Sequence, residues 1–289
     1  VHPRLSHSLH SEAERQLVRE WIRRYRALPA EQQAEAPGLL NGLGKLQLAA
    51  GEPVAAEQSF TEVARHIGAD GSAQGEAAYN AYRAALEQQD WDKAFAHLKI
   101  AIAADPALAP FPEHRYAAQR ILGAGGFGVV FLCENRYVRR QVVVKALQTE
   151  TLDRPVHELF QETAVLRDIH HPAIVRSYSE GFCDEANQRG PYLEMEYFPG
   201  QNLSDYLETH GPIPLAQALP LLHQIAAALA AIHAQGILHR DLKPDNVMVK
   251  AEGQGFAVRL IDFGLALQPH VIAHTIGRGG QSILAGSIT

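Results

Sequence analysis

Apolar positions change their spacing several times along the chain. Over residues 11–28, Leu17, Trp21, Tyr25 and Leu28 recur at helical intervals, and Arg15, Arg19, Arg23, Arg24 and Arg26 occupy most of the other faces. That pattern predicts an amphipathic helix. Its basic side can be the solvated back of a packed helix or a docking surface for an acidic partner or a membrane. Residues 37–106 are Ala-rich and predict further helices. Pro106, Pro110 and Pro112 follow; proline cannot continue a helix, so the linker is placed there. Val129–Leu132 and Val142–Val144 are β-branched runs that predict strands. Beyond Pro199 the pattern is helical again. The expected fold class is therefore α+β. An all-α module covers 1–110, a β-rich lobe 111–198 and a helical lobe 199–289.

Composition narrows the function classes. A chain of 289 residues that is 46% hydrophobic can bury more than one core. The net charge of -6, from 32 acidic and 26 basic residues, gives no electrostatic footprint for nucleic acid. Two cysteines, Cys133 and Cys183, form no CxxC pair, which fits a cytoplasmic, reducing setting. The fifteen histidines are scattered and make no HExxH or Cys/His zinc pattern. No apolar run reads as long enough to span a bilayer: Ile225 to Ile232 is short and Ala-rich, and is expected to be a buried helix. No membrane segment is expected, and the N-terminus carries no signal-peptide core. The Ala-rich, Arg-over-Lys composition suits a GC-rich bacterial genome.

Within the helical region two similar units stand out. Leu43-Gly44, Gly51-Glu52, Ala56 and Phe60 mark the first; Ala81-Tyr82, Asp90-Trp91, Ala94, Leu98, Ala101 and Pro106 mark the second. Small residues at fixed points let paired helices approach, and large ones fill the groove. The pattern resembles the tetratricopeptide repeat, with a period of about 34 residues and a closing proline. The first unit lacks that proline, and Gly68 to Gly75 reads as an insertion between the units. The resemblance implies docking of a protein partner or substrate. A plain helical bundle without a binding groove is the other reading.

The chemistry concentrates further on. Gly123-Ala124-Gly125-Gly126-Phe127-Gly128 is a GxGxxG run. In dinucleotide-binding folds such a run opens a helix. Here Val129 to Glu134 predicts a strand, so the glycines belong to a hairpin whose N–H groups can face phosphates. Lys145 ends the Val142–Val144 run. It reads as an ordinary surface lysine, or as a buried one with an anionic partner; Glu162, on the next helical stretch, is the candidate. His239-Arg240-Asp241-Leu242-Lys243-Pro244-Asp245-Asn246 then places a carboxylate, an ammonium and an amide in one short loop. Asp241 can accept the proton of an incoming hydroxyl, Lys243 can neutralise a moving phosphoryl group, and Asn246 can help hold Mg2+. Asp262 of Asp262-Phe263-Gly264 is a second oxygen donor.

Together these motifs resemble the signature set of eukaryotic-type (Hanks-type) serine/threonine protein kinases, over about residues 116 to 289. The resemblance implies a bilobal domain with Mg-ATP in its cleft, near Lys145 and Asp262. Gly123, Gly125, Gly126 and Gly128 would cover the phosphates. Lys145 would contact them while paired to Glu162. Asp241 would be the catalytic base, and Asn246 and Asp262 the metal ligands. Met195, Glu196 and Phe198 would form the segment receiving adenine, with Val130, Val143 and Met248 around the base. Leu166, His239 and Phe263 would stack to hold the active arrangement. Lys243 implies Ser/Thr rather than Tyr specificity. Arg240 implies control by phosphorylation, with Thr275, Ser282, Ser287 and Thr289 as candidate acceptors. Val143 departs from the family's smaller alanine. The chain also carries no APE-like motif before Thr289, so it is expected to be a fragment cut in or just after the activation loop. The expected function is transfer of the ATP γ-phosphoryl group to protein hydroxyls, with the helical module docking a partner. The alternatives are a nucleotide-binding pseudokinase scaffold and an adaptor working through residues 1 to 106.

Overall fold

The computed structural model describes residues 11–66, 71–149 and 155–262. Six helices come first: α1 (Glu12–Arg26), α2 (Ala30–Glu35), α3 (Pro37–Ala49), α4 (Pro53–His66), α5 (Gly71–Glu87) and α6 (Trp91–Ala104). Strands β1 (Tyr116–Gly125), β2 (Gly128–Asn135) and β3 (Arg140–Leu147) follow, then α7 (Val156–Arg167), β4 (Ser177–Asp184) and β5 (Arg189–Glu196). The remainder is β6 (Gln201–Asn202), α8 (Leu203–His210), α9 (Leu215–His233), β7 (Val247–Glu252) and β8 (Gly255–Leu260). The chain is α+β, as its patterning predicts. It divides into two compact units: the described residues of Val1–Thr151 with Phe182–Tyr192, and those of Leu152–Gly181 with Leu193–Thr289.

In the first unit, α1 opens on a capping box in which Ser11 and Glu14 satisfy each other's backbone N–H. The face it buries is not the predicted one. Val18, Ile22 and Tyr25 pack against Leu40, Leu43, Val63 and Ala77, while Leu17 and Trp21 are 48% and 43% exposed. Two apolar stripes sharing Tyr25 lie side by side on this helix, and tertiary packing selects the β-branched one. Next, α3 and α4 form a helical hairpin, and α5 and α6 a second. Gly44 makes the first hairpin possible: a Cβ there would sit 2.6 Å from the Phe60 ring, which is buried among Ala56, Ala81 and Ala84. Within the expected insertion, residues 71–75 form the start of α5; 67–70 lie outside the described residues. After α6 the proline-rich segment is tied down. Asp105 caps a short turn through the Ala107 N–H, and buried Phe111 meets the Tyr116 and Phe131 rings edge-on.

The five-stranded sheet has the order β1-β2-β3-β5-β4. In the β2–β3 register Val130 lies opposite Lys145 and Leu132 opposite Val143. Because residues two apart share a face, Val130, Leu132, Val143 and Lys145 line one side. Phe131, Cys133, Val142 and Val144, all buried, line the other.

The second unit is built on α9. Its Leu221, Ile225, Ala228 and Ile232 form a core with Ala173–Val175, Val247, Val249, Val258 and Leu260. This helix corrects one sequence expectation: Leu215–His233 is long and apolar enough to cross a membrane by length and composition. Only one face of α9, carrying Leu221, Ile225, Ala228 and Ile232, is buried in this core, while Leu215, Leu219 and Leu222 are exposed. Backbone bonds from Leu260 N–H to Ala173 O (2.8 Å) and from Val175 N–H to Leu260 O (3.0 Å) lock β8 to the segment before β4.

Candidate active site

In the first unit the glycine run is the β1–β2 hairpin, with Gly123 opposite Val130 and Gly125 opposite Gly128. The glycines differ in what requires them. Gly128 has φ 144°, and a Cβ there would lie 2.0 Å from the Ala146 carbonyl oxygen; the β2–β3 pairing itself demands glycine. At Gly123 and Gly125 a Cβ would meet nothing within 4 Å, so protein packing does not explain them. Lys145 is 9% exposed within β3, which removes the surface-lysine reading. Its Nζ lies 5.9 Å from the centroid of the Phe127 ring, within cation–π range. Sequence reasoning passed over Phe127; an aromatic at the turn between glycines was the available signal. Glu162 falls on α7, but its side chain lies outside the described residues.

In the second unit the His239–Asn246 loop is held by its own polar groups. His239 is buried, and its Nε2–H donates to the Ile261 carbonyl at 3.1 Å. Burial pushes its pKa down, against the hydrogen bond and the charges of Asp241 and Asp262. Arg240 turns the chain with φ 61°, a conformation costly for a side-chain-bearing residue and typical of functional sites. The Asp241 carboxylate then becomes the centre of the loop. Asn246 Nδ2 donates to Asp241 Oδ2 at 2.9 Å and to the Asp241 carbonyl at 2.7 Å. Lys243 Nζ pairs with the same Oδ2 at 2.9 Å. Burial opposes ionisation of Asp241, but the bonds from Lys243 and Asn246 outweigh it and hold the carboxyl below its ordinary value. The bond to Asp241 raises Lys243. The loop thus holds an ionised base and a cation.

With both amide hydrogens of Asn246 turned to Asp241, its Oδ1 is left as the acceptor, a hard oxygen suited to a divalent cation. Ile261 N–H donates to the Asn246 carbonyl at 3.0 Å, which fixes the start of β7 beside the end of β8. Asp262 follows directly, with φ 61°, and its charge acts on both Lys243 and His239. Asn246 and Asp262 each offer an oxygen donor at this end of the β7–β8 pair, the donor type that Mg2+ prefers. No group of three or more His, Cys, Asp or Glu able to hold a metal occurs among the described residues.

The expected base-binding segment is also in this unit. Met195 packs on the α9 core, Glu196 ends β5, and Phe198 is buried. Met248 pairs with Asn202 on one side and Arg259 on the other. Arg259 was not singled out from sequence, although it contacts this segment. Phe263, Gly264 and the candidate phosphorylation sites Thr275, Ser282, Ser287 and Thr289 lie outside the described residues. The predicted residues are thus gathered in two groups: Gly123 to Gly128, Val130, Val143 and Lys145 in the first unit, and Asp241, Lys243, Asn246 and Asp262 in the second.

A glycine hairpin with a buried strand lysine in one unit, and an Asp-centred loop followed by an aspartate in the other, are features of a domain class built to handle nucleoside triphosphates. The family described as "Protein kinase domain" matches residues 116–274, more than half of the chain, and the chain belongs to that family. It is similar to the serine/threonine-protein kinase pkn2 of Myxococcus xanthus, 42% identical over 158 residues, which are 53% of this chain and 18% of that protein. It is also similar to the serine/threonine-protein kinase PknB of Mycobacterium leprae, 36% identical over 159 residues, or 54% and 25% of the two chains. The serine/threonine-protein kinase ATG1c of Arabidopsis thaliana is 34% identical over 165 residues, or 56% and 22%. The matched part spans about a fifth to a quarter of these relatives' lengths.

Proposed function

We propose that this protein transfers the γ-phosphoryl group of Mg-ATP to serine or threonine hydroxyls of a protein substrate. The observation that carries the reading is the Asp241 carboxylate, ionised and aimed by Lys243 and Asn246. Relatives named serine/threonine-protein kinases support the acceptor class. In this reading Asp241 accepts the proton of the substrate hydroxyl as its oxygen attacks phosphorus. Lys243 offsets charge on the phosphoryl oxygens, and Lys145 and the N–H groups of Gly123 to Gly128 hold the other phosphates. Asn246 and Asp262 would hold Mg2+, which would neutralise phosphate charge. His239, bonded to the Ile261 carbonyl, orients the loop. Adenine would meet Met195, Glu196 and Phe198 along one edge, and Val130, Val143 and Met248 across its faces. The two helical hairpins, read as tetratricopeptide-like, would dock a protein partner or the substrate. Cys133 and Cys183, neither in a disulfide, suit the cytoplasmic setting of this reading, and the similarity to bacterial kinases suits a bacterial source.

Thermal unfolding with and without Mg-ATP tests the nucleotide site. Ligand at about 100 times its Kd adds roughly 2.7 kcal/mol to the native state, a rise of about 5–10 °C in a chain of this size. The rise is expected to need the metal and to vanish in a Lys145→Met, Asp262→Asn variant. No rise in the unsubstituted chain would sink the ATP reading. A rise without phosphoryl transfer to any serine or threonine peptide would favour a nucleotide-binding scaffold.

A further inference from the structure

We propose that Arg259 is a positioning residue for the nucleotide base, acting by clamping the Glu196–Gly200 segment. The inference rests on the kinase reading above, which assigns that segment to adenine.

Arg259 lies on β8 opposite Met248, and its guanidinium ties together several stretches of chain. Its Nε donates to Glu196 Oε1 at 3.4 Å. Its Nη1 donates to the carbonyl oxygens of Pro172 and Val258. Its central carbon lies 5.1 Å from the centroid of the Phe198 ring. The two charged side chains are only 23% and 21% exposed, so water screens this pair less than a surface one. Glu196 is held on its other side as well: its N–H donates to the Arg176 carbonyl at 2.8 Å, and its Oε2 accepts from the Arg176 N–H at 3.2 Å.

Beyond Phe198 the packing closes around Gly200. A Cβ there would lie 2.4 Å from the Val249 carbonyl oxygen and 2.7 Å from the Phe198 ring. The Gly200 N–H donates to the Phe198 carbonyl at 2.9 Å, and Gln201 and Asn202 pair with Val249 and Met248. The segment is therefore fixed at one end by Arg176 and at the other by β7, with one guanidinium between. The contacts call for arginine. A planar fork can stack on an aromatic face while its edge donates to a carboxylate and to carbonyls; an ammonium cannot do both.

A base read by backbone N–H and C=O groups is read through their direction. If residues 196–198 loosen, any purine keeps its apolar contacts, but the directional bonds that separate adenine from guanine are lost. Arg259 therefore sets nucleotide affinity and selectivity and leaves the phosphoryl-transfer loop alone.

The test is the Kd of Mg-ATP and of Mg-GTP, measured by titration calorimetry on the 289-residue chain and on Arg259→Ala and Arg259→Lys. The unsubstituted chain is expected to prefer ATP. Arg259→Ala is expected to weaken ATP about tenfold and to narrow the GTP/ATP ratio of Kd values at least about fivefold. Arg259→Lys should restore folding but only part of that ratio. A merely structural role would lower the folded fraction for both nucleotides alike and leave the ratio unmoved. Should Arg259→Ala not fold, Arg259→Lys and Phe198→Leu carry the test, each expected to narrow the ratio. A chain that prefers ATP, with the ratio unchanged in the folded variants, overturns the clamp alone. A chain that binds no Mg-ATP overturns the kinase reading and the clamp together.

Discussion

The glycine hairpin of the first unit and the Asp241 loop of the second hold their shapes by opposite means. In the hairpin the backbone does the work. Strand pairing fixes Gly123 opposite Val130 and Gly125 opposite Gly128, and the informative positions are those with no side chain. In the loop the side chains do it. Lys243 and Asn246 converge on one carboxylate oxygen, His239 bonds the Ile261 carbonyl, and Arg240 and Asp262 accept positive φ angles. A hairpin built on backbone can yield to the outline of a bound phosphate chain. A loop built on mutually satisfied polar groups presents one ionised oxygen in one place. The first arrangement suits binding and the second suits chemistry, and substitutions should separate the two.

The largest expected effect falls on the loop. Asp241→Asn preserves shape and removes the proton acceptor, so phosphoryl transfer to a serine/threonine peptide should fall by a factor on the order of 10²–10⁴. The Mg-ATP-dependent rise in Tm should survive. Transfer within tenfold of the unsubstituted chain would mean that the loop binds rather than catalyses, and the contrast with the hairpin would collapse.

Within the hairpin the glycines should behave unequally. Gly128→Ala forces a Cβ to within 2.0 Å of a backbone oxygen at φ 144° and should cost about 2–4 kcal/mol of stability. Gly123→Ala and Gly125→Ala meet open space; they should leave Tm within about 2 °C and weaken Mg-ATP instead. Denaturation curves beside nucleotide titrations check both halves. Equal loss of stability at all three positions would show that packing alone explains the run.

How far each region could be read from sequence follows from the same physics. The loop is legible because its residues carry their chemistry locally: Asp241, Lys243 and Asn246 lie within six positions and satisfy one another. The hairpin is legible because a strand follows the glycines. Arg259 was missed because its partners Pro172, Glu196 and Phe198 come from distant stretches of chain. Helix α1 was read one stripe out of register, since Leu17/Trp21/Leu28 and Val18/Ile22/Tyr25 are both apolar at helical spacing and only the packing against Leu40, Leu43 and Val63 decides. That decision is measurable. Ile22→Ala should cost about 2–4 kcal/mol, whereas Leu17→Ala, on the exposed stripe, should stay within about 0.5 kcal/mol. Equal losses would return the helix to the predicted register.

The smallest effect is a displacement along the pH axis. Asp241 is pulled two ways: burial favours the neutral acid, and the Lys243 and Asn246 bonds with the Lys243 charge favour the anion and win. Lys243→Met removes two of the influences that lower the pKa and leaves the burial, so the carboxyl climbs. The acid limb of kcat/KM, set by the protonation of this base, should move to higher pH, while Asp241→Asn abolishes the limb. The stability side carries the same sign. A carboxylate with a depressed pKa stabilises the fold above its unfolded value and loses that contribution as pH falls through the folded one, so Lys243→Met should also shrink the stability lost on acidification. An acid limb that stays in place would show that Asn246 alone keeps Asp241 ionised. The loop would then depend on a neutral amide, closer to the hairpin's mode of construction than the ion pair suggests.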